Sequence, residues 1–273
     1  MERQSISPLK LLRSAKLHRH LLLNLAKRET TSRYKESLFG LLWSILSPLL
    51  MLTIFSFVFT NIFKSRWGVA VENNAVSYPV ILFAGLIVFN FFSECLGKSP
   101  SIVMGNQNFV KKIIFPLEIL PLVSILSALF QSAISFCILL VFILVETGSI
   151  PWTALLLPIG MLPFLIFILG MMFWLSATGV FVRDISQTVG LITTGMMFIS
   201  PIFFPATSFP EHWQFLAHYN PLTYPIELAR DLLVFGVGIE VYDWLKYLGF
   251  SLVFCWLGYA WFQKLRIGFS DVL

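Results

Sequence analysis

From Leu38 to Phe63 the chain runs through 26 residues without a charge. A helix needs roughly 20 apolar residues to cross a hydrocarbon core about 30 Å thick, so this stretch reads as a membrane span with room for tilt. Arg33, Tyr34 and Lys35 stand just before it as a basic and aromatic anchor. The remainder of the 273 residues agrees with that solvent. Hydrophobic residues make up 57% of the chain and charged ones 12%, where a soluble domain carries about a quarter. Mean hydropathy is +0.82.

Further apolar runs follow, and the six spans are placed at about 38–63, 78–97, 117–145, 153–182, 188–205 and 244–263. Pro158 and Pro163 are expected to kink or tilt the fourth, with the freed backbone groups finding other partners. Residues 1–36 form a separate unit, a helix from about Pro8 to Thr31 with Leu11, Leu12, Ala15, Leu22, Leu25 and Ala26 on one side. Lys10, Arg13, Lys16, Lys27 and Arg28 lie on the other, the pattern of a helix lying in the membrane interface. His18 and Arg19 fit that division poorly, which marks the place for a break. The stretch from Ala206 to Asp243 is dense in proline and aromatic residues. It reads as two short outer helices dipping toward the membrane, the second starting after Pro225. The fold class is thus an all-α integral membrane protein with six spans, an interfacial helix and re-entrant outer helices.

Charge orients these spans. The net charge of +5 points to topology rather than nucleic acid, because nine of the 19 Lys and Arg precede residue 36. With both termini cytoplasmic, the inner segments hold 15 basic residues and the outer ones 4, the asymmetry expected of an inner-membrane protein. No signal peptide is expected, since the basic, polar start lacks a short apolar core and a cleavage site.

Catalytic chemistry finds little to stand on. Cys95, Cys137 and Cys255 are scattered singly, without metal or redox spacing. His18 and His20 would point to different sides of a helix, which argues against a shared metal. Gly97-Lys98-Ser99 imitates the end of a phosphate loop, but Phe92 stands where its first glycine belongs. This chain therefore supplies no ATP hydrolysis. Glu94, Glu118, Glu146 and Asp184 are isolated carboxylates near span ends, and Glu94, inside an apolar run, is the strongest candidate for a direct role.

Three stretches resemble one family. The run from Arg33-Tyr34-Lys35 through Leu38-Phe39-Gly40-Leu41-Leu42-Trp43 to Pro48 is similar to the first span of ABC-2 type permeases that export polysaccharides. Gly105 to Pro121, with Lys111 and Lys112 ahead of Phe115-Pro116, resembles their connection between spans two and three. Asn220-Pro221-Leu222-Thr223-Tyr224-Pro225-Ile226-Glu227-Leu228-Ala229-Arg230-Asp231 resembles the segment before their last span. The resemblance implies a single transmembrane domain over 37–273. It implies a homodimer with two copies of a separate ABC ATPase, which would use the ATP and Mg²⁺. The implied substrate is a lipid-linked, O-antigen-like polysaccharide; teichoic acid, capsule and a small hydrophobic drug are alternatives within the superfamily. An integral membrane acyltransferase is the rival from another class, disfavoured by the lack of clustered catalytic residues. A secondary transporter would show internal repeats or mid-bilayer charges.

The resemblance also names residues. By sequence alone, 106–112 reads equally as a solvated loop or a transverse helix. The family implies a coupling helix, with Phe109 as the aromatic anchor toward the ATPase and Asn106, Asn108, Lys111 and Lys112 around it. Tyr219 and Tyr224 become outer-gate candidates, and Glu227 and Arg230 have the spacing to pair on a helix. On the first span Phe55, Phe59 and Phe63 recur every four residues beside Thr53, Ser56 and Thr60. Rings beside hydroxyls suit a sugar chain, whose C–H faces stack while its hydroxyls find hydrogen bonds. Trp43, Thr53, Phe55, Ser56, Phe59 and Phe198 form the substrate-channel set. On the fifth span the face of Gln187, Gly190, Thr194 and Pro201 reads equally as channel or as helix packing.

Overall fold

A computed structural model of the chain describes residues 8–33, 35, 37–59, 76–111 and 115–273. Its main elements are thirteen α-helices: α1 (Pro8–Leu17), α2 (Arg19–Ser32), α3 (Trp43–Phe57), α4 (Tyr78–Lys98), α5 (Gln107–Lys111), α6 (Ile119–Thr147), α7 (Leu157–Gly160), α8 (Leu162–Phe181), α9 (Ile185–Ile199), α10 (Gln214–Tyr219), α11 (Thr223–Arg230), α12 (Val241–Leu265) and α13 (Phe269–Val272). No strand occurs among the described residues.

Among the described residues, five helical stretches are long and apolar enough to cross a membrane, at Gly40–Phe57, Tyr78–Ser101, Ile119–Thr147, Trp152–Phe181 and Val241–Val272. The fifth of the six expected spans falls short of that measure. It begins at Ile185 and stops at Ile199 after 15 residues, because Pro201 disfavours helical backbone at Ser200, which is extended at φ −80° and ψ 149°. The last four residues of the expected first span, 60–63, lie outside the described residues.

Proline segments the fourth span. A 3₁₀ turn at Trp152–Leu156 runs into α7, the chain steps at Met161, and α8 begins with Pro163 in its first turn. There the missing N–H leaves no bond unmade. The third span ends on Gly148, whose left-handed backbone at φ 73° lets its N–H donate to the Leu144 carbonyl, the usual role of glycine at a helix C-terminus. In the outer segment two short helices do form, although α11 begins at Thr223, ahead of Pro225.

At the centre stands α4, whose residues from Pro79 to Phe89 are buried without interruption. Of its most apolar stretch 78% is enclosed, against 17% for α3. Neighbours cover α4 on nearly every side, while α3 leans on α4 and α6 and leaves most of its apolar surface open. Two glycines set a close approach between α8 and α12. A Cβ on Gly170 would meet the Cys255 Cα at 2.8 Å, and one on Gly258 would collide with the Gly170 carbonyl. Small residues let helix backbones touch where lipid offers no hydrophobic drive to association. The N-terminal unit is broken at His18 into α1 and α2, and Leu22 and Ala26 of α2 pack on Ile119 and Val123 of α6.

Candidate functional site

Three regions carry the residues singled out above, and each can be followed from cytoplasmic to outer end. On the side expected to face the cytoplasm, α2, α4 and α6 converge on an ionic network. Arg33 pairs with Glu94, and Lys98 reaches Glu94 at 3.1 Å and Glu29 at 3.4 Å. The Ser124 hydroxyl donates to Glu29 at 3.3 Å. Alternating charges across three helices leave each carboxylate with a cationic partner, so Glu94 is a structural tie as well as a polar group near the span end. A second tie joins Arg266 to Glu118 at 2.7 Å and to the Phe115 carbonyl at 3.1 Å.

Beside the first network, Leu25, Glu29, Lys98, Asn106, Phe109 and Ser124 help to line a cavity of about 280 Å³. The connection after α4 is helical in short pieces: 3₁₀ turns at Ser99–Ser101 and Met104–Asn106, then α5. Phe109 is half-buried and stacks on Phe115 with ring centroids 4.5 Å apart. Asn106 donates its amide to the Ile102 carbonyl at 2.8 Å, and Asn108 is exposed. Lys111 ends α5, and Lys112 lies outside the described residues.

Midway, α3 and α9 flank α4. Phe55 and Phe59 are 6.0 Å apart, Phe59 lies 5.2 Å from Tyr78, and the Tyr78 hydroxyl donates to the Phe203 carbonyl at 2.6 Å. Phe203 in turn stacks on Phe198 at 6.4 Å. The structure thus links three of the channel candidates, Phe55 on α3, Phe59 just beyond its end and Phe198 on α9, through an aromatic series over the N-terminal end of α4. Phe55 and Phe59 are half-buried in it, while Phe198 is exposed. Trp43 sits at the other end of α3, edge-on to Phe39 at 5.8 Å. Thr53 is exposed, with its hydroxyl turned back to the Leu49 carbonyl, and Ser56 is half-buried. Phe63 and Thr60 lie outside the described residues.

On the side expected to face outward, Arg230 is 2% exposed. Its guanidinium donates to the carbonyls of Ile81 at 3.2 Å, Pro201 at 2.6 Å and Ile202 at 2.7 Å, rather than pairing with Glu227 as the helical spacing allowed. Five donors in a rigid fork suit this triple grip. Gly85 makes room for it, since a Cβ there would lie 2.8 Å from the guanidinium. Arg230 therefore fastens α11 to α4 and to the turn after α9. Burial pulls its pKa down to about 10 and pushes the Glu227 carboxyl up, each partly offset by the other's charge. The two gate tyrosines have different surroundings. Tyr219 is 81% exposed beside His218, on an open cleft of about 570 Å³ shared with Thr207, Gln214 and Glu227. The Tyr224 ring lies tilted against Tyr247 of α12 with centroids 5.1 Å apart, and burial raises its hydroxyl to about 12. In the sequence Arg230 shows only as a basic residue between Glu227 and Asp231, a pattern that does not point to its three carbonyl partners.

With this geometry in hand, comparison with known proteins is decisive. The family profile described as ABC-2 type transporter matches residues 20–234. The chain belongs to the ABC-2 type transporter family. This ABC-2 transporter chain is 29% identical over 258 residues to the O-antigen export system permease protein RfbA of Klebsiella pneumoniae, covering 93% of this chain and 95% of that protein. It is 28% identical over 245 residues to the polysialic acid transport protein KpsM of Escherichia coli, covering 86% and 90%. The inner membrane transport permease YadH of E. coli K12 is 23% identical over 199 residues, covering 68% and 74%. The matched region runs from α2 through α11 and so takes in the Glu94 network, the aromatic series and Arg230 with both candidate tyrosines, while Arg266 and Tyr247 lie beyond it.

Proposed function

We propose that the chain is the membrane subunit of an ATP-driven exporter that carries a lipid-linked, O-antigen-like polysaccharide out of the cytoplasm. The similarity to an O-antigen export permease across nearly the whole of both chains carries this reading. Six spans are counted, with α9 as the fifth and both termini cytoplasmic, in line with the excess of basic residues on inner segments. The subunit works as a homodimer with two ABC ATPase subunits, which bind ATP and Mg²⁺; this chain binds neither. The sparsely covered α3 and the exposed flank of α9 supply a physical motive for pairing, because two such faces together enclose a wider path than one protomer.

The segment around α5 would seat on the ATPase, with Asn106, Asn108, Phe109, Lys111 and Lys112 at or near the contact. Trp43, Thr53, Phe55, Ser56, Phe59 and Phe198 would line or border the path, where many weak ring contacts let a polymer slide. Tyr219 and Tyr224 belong to the outer gate. A second reading, export of a capsule-type polysaccharide, draws on the similarity to the protein named for polysialic acid transport. Removing the chain from its native host tests the core of the proposal. Lipid-linked glycan should accumulate inside the cell and disappear from the surface, and re-expression should restore it. Surface glycan at the parental level without the chain would sink the proposal, and chemical analysis of the trapped glycan would choose between the two readings.

A further inference from the structure

Between α3, α4 and α6 lies a cleft of about 270 Å³ that no part of the channel or coupling assignment uses. Its surface is mostly apolar, from Pro48, Met51, Phe83, Ile87 and Phe91, but six polar residues are set into it: Ser47 from α3, Asn90 and Glu94 from α4, and Gln131, Ser132 and Ser135 from α6. Asn90 is the telling residue. Every other residue of α4 from Pro79 to Phe92 is buried, yet Asn90 is exposed, and its amide makes no hydrogen bond among the described residues. It stands eight residues before Lys98 at the end of the helix, about 12 Å along the axis. An amide opened to hydrocarbon at that depth costs free energy unless something polar meets it.

The lining also selects what that partner is. No Lys, Arg or His faces the cleft, and its one charged residue is Glu94, so a phosphate or pyrophosphate headgroup would meet a carboxylate and no cation. An acyl or prenyl tail would strand the amides and hydroxyls. A neutral ring bearing hydroxyls fits both facts. It can exchange hydrogen bonds with Asn90 and the serines, each able to donate and accept, and it can lay a C–H face on Phe83 or Phe91 of the back wall. The volume lies just under the range of roughly 300–1,000 Å³ of ligand pockets, the scale of one monosaccharide.

We propose that this cleft binds a single neutral sugar unit in the inner half of the membrane, with Asn90 as its principal hydrogen-bonding residue. The proposal rests on the polysaccharide-export reading and adds a specific subsite to it, apart from the aromatic series. The glycan in transit and the sugar headgroup of a resident glycolipid share this chemistry, and the test separates them.

The test uses the whole transporter in its native host, with Ser47→Cys in a chain whose own cysteines are replaced, probed with N-ethylmaleimide. Labelling is timed in cells that make the glycan and in cells blocked at its first sugar transfer. Protection by a ligand held through about one or two hydrogen bonds should slow labelling about fivefold or more in glycan-making cells. Asn90→Leu should abolish that difference and slow export, whereas Asn90→Gln should retain part of both. Equal, fast labelling in both strains would mean a cleft filled by water. Equal, slow labelling that Asn90→Leu speeds in both strains would assign the sugar to a resident glycolipid, whereas equal, slow labelling that Asn90→Leu leaves unchanged would mean a cleft covered by the second protomer; that result, like equal fast labelling, overturns the proposal. The deletion strain keeps the two levels apart: surface glycan lost on deletion together with either overturning pattern of labelling overturns the subsite alone.

Discussion

Single side chains divide here into those that hold the scaffold and those that face outward. Arg230 holds it, through three carbonyls on two other segments. Arg230→Met would orphan those acceptors in a buried site, and each such loss costs roughly 1–3 kcal/mol. The purified protein should unfold at a clearly lower temperature and export should fail, with Arg230→Lys recovering only part because a single ammonium cannot reproduce the fork. A wild-type melting temperature for Arg230→Met would contradict this role. Phe109 is the contrasting case, its ring on Phe115 within the chain and still half-exposed. An aromatic anchor at a packed interface is typically worth about 2 kcal/mol or more. Phe109→Ala should therefore weaken co-purification with the ATPase beyond any loss of stability measured on the permease alone. Unchanged assembly and export would make the segment a loop only.

Among elements, the α8 and α12 contact and the open face of α3 allow opposite predictions. Gly258→Leu forces a side chain into the Gly170 backbone. Overpacking typically costs about 1–3 kcal/mol, so folding yield and melting temperature should fall together; a tolerated leucine would mean that the two helices separate without loss. On α3 and just beyond its end, replacing Phe55 and Phe59 with leucine keeps the span apolar but removes stacking faces. Export or basal ATPase activity should change while insertion and ATPase binding hold, and unchanged export would return both residues to a packing role. Element by element, the sequence was legible where one physical rule dominated. Uncharged length located α4, α6, α12 and the stretch Trp152–Phe181 that ends in α8 to within a few residues, and the failed amphipathic pattern at His18 located the break between α1 and α2. It was less legible where local chemistry competed. Ser200-Pro201 ended α9 early, and the outer segment depends on Arg230 reaching carbonyls far away in sequence, which no local pattern encodes. Asn90 and Gln131 were visible as amides inside apolar runs, but only the arrangement of three helices makes them neighbours of one cleft.

The whole molecule joins a face tied by ion pairs, a central α4 flanked by two sparsely covered helices, and a segment at the other end fastened by one arginine. The orientation proposed from charge puts the ion pairs toward the cytoplasm and is checked with single cysteines. Asn108→Cys and Ser270→Cys should resist an impermeant thiol reagent in intact cells, whereas Glu211→Cys should react; the reverse pattern would invert the topology. The central claim is that this chain, with a partner ATPase, moves a lipid-linked glycan across a bilayer. It is tested most directly by reconstituting both proteins into vesicles with the host's lipid-linked glycan on the ATPase side and following its appearance on the other side with a lectin. ATP and Mg²⁺ should drive glycan across, and neither protein alone should do so. Glycan that stays on its original side while the assembled pair hydrolyses ATP normally would contradict the account.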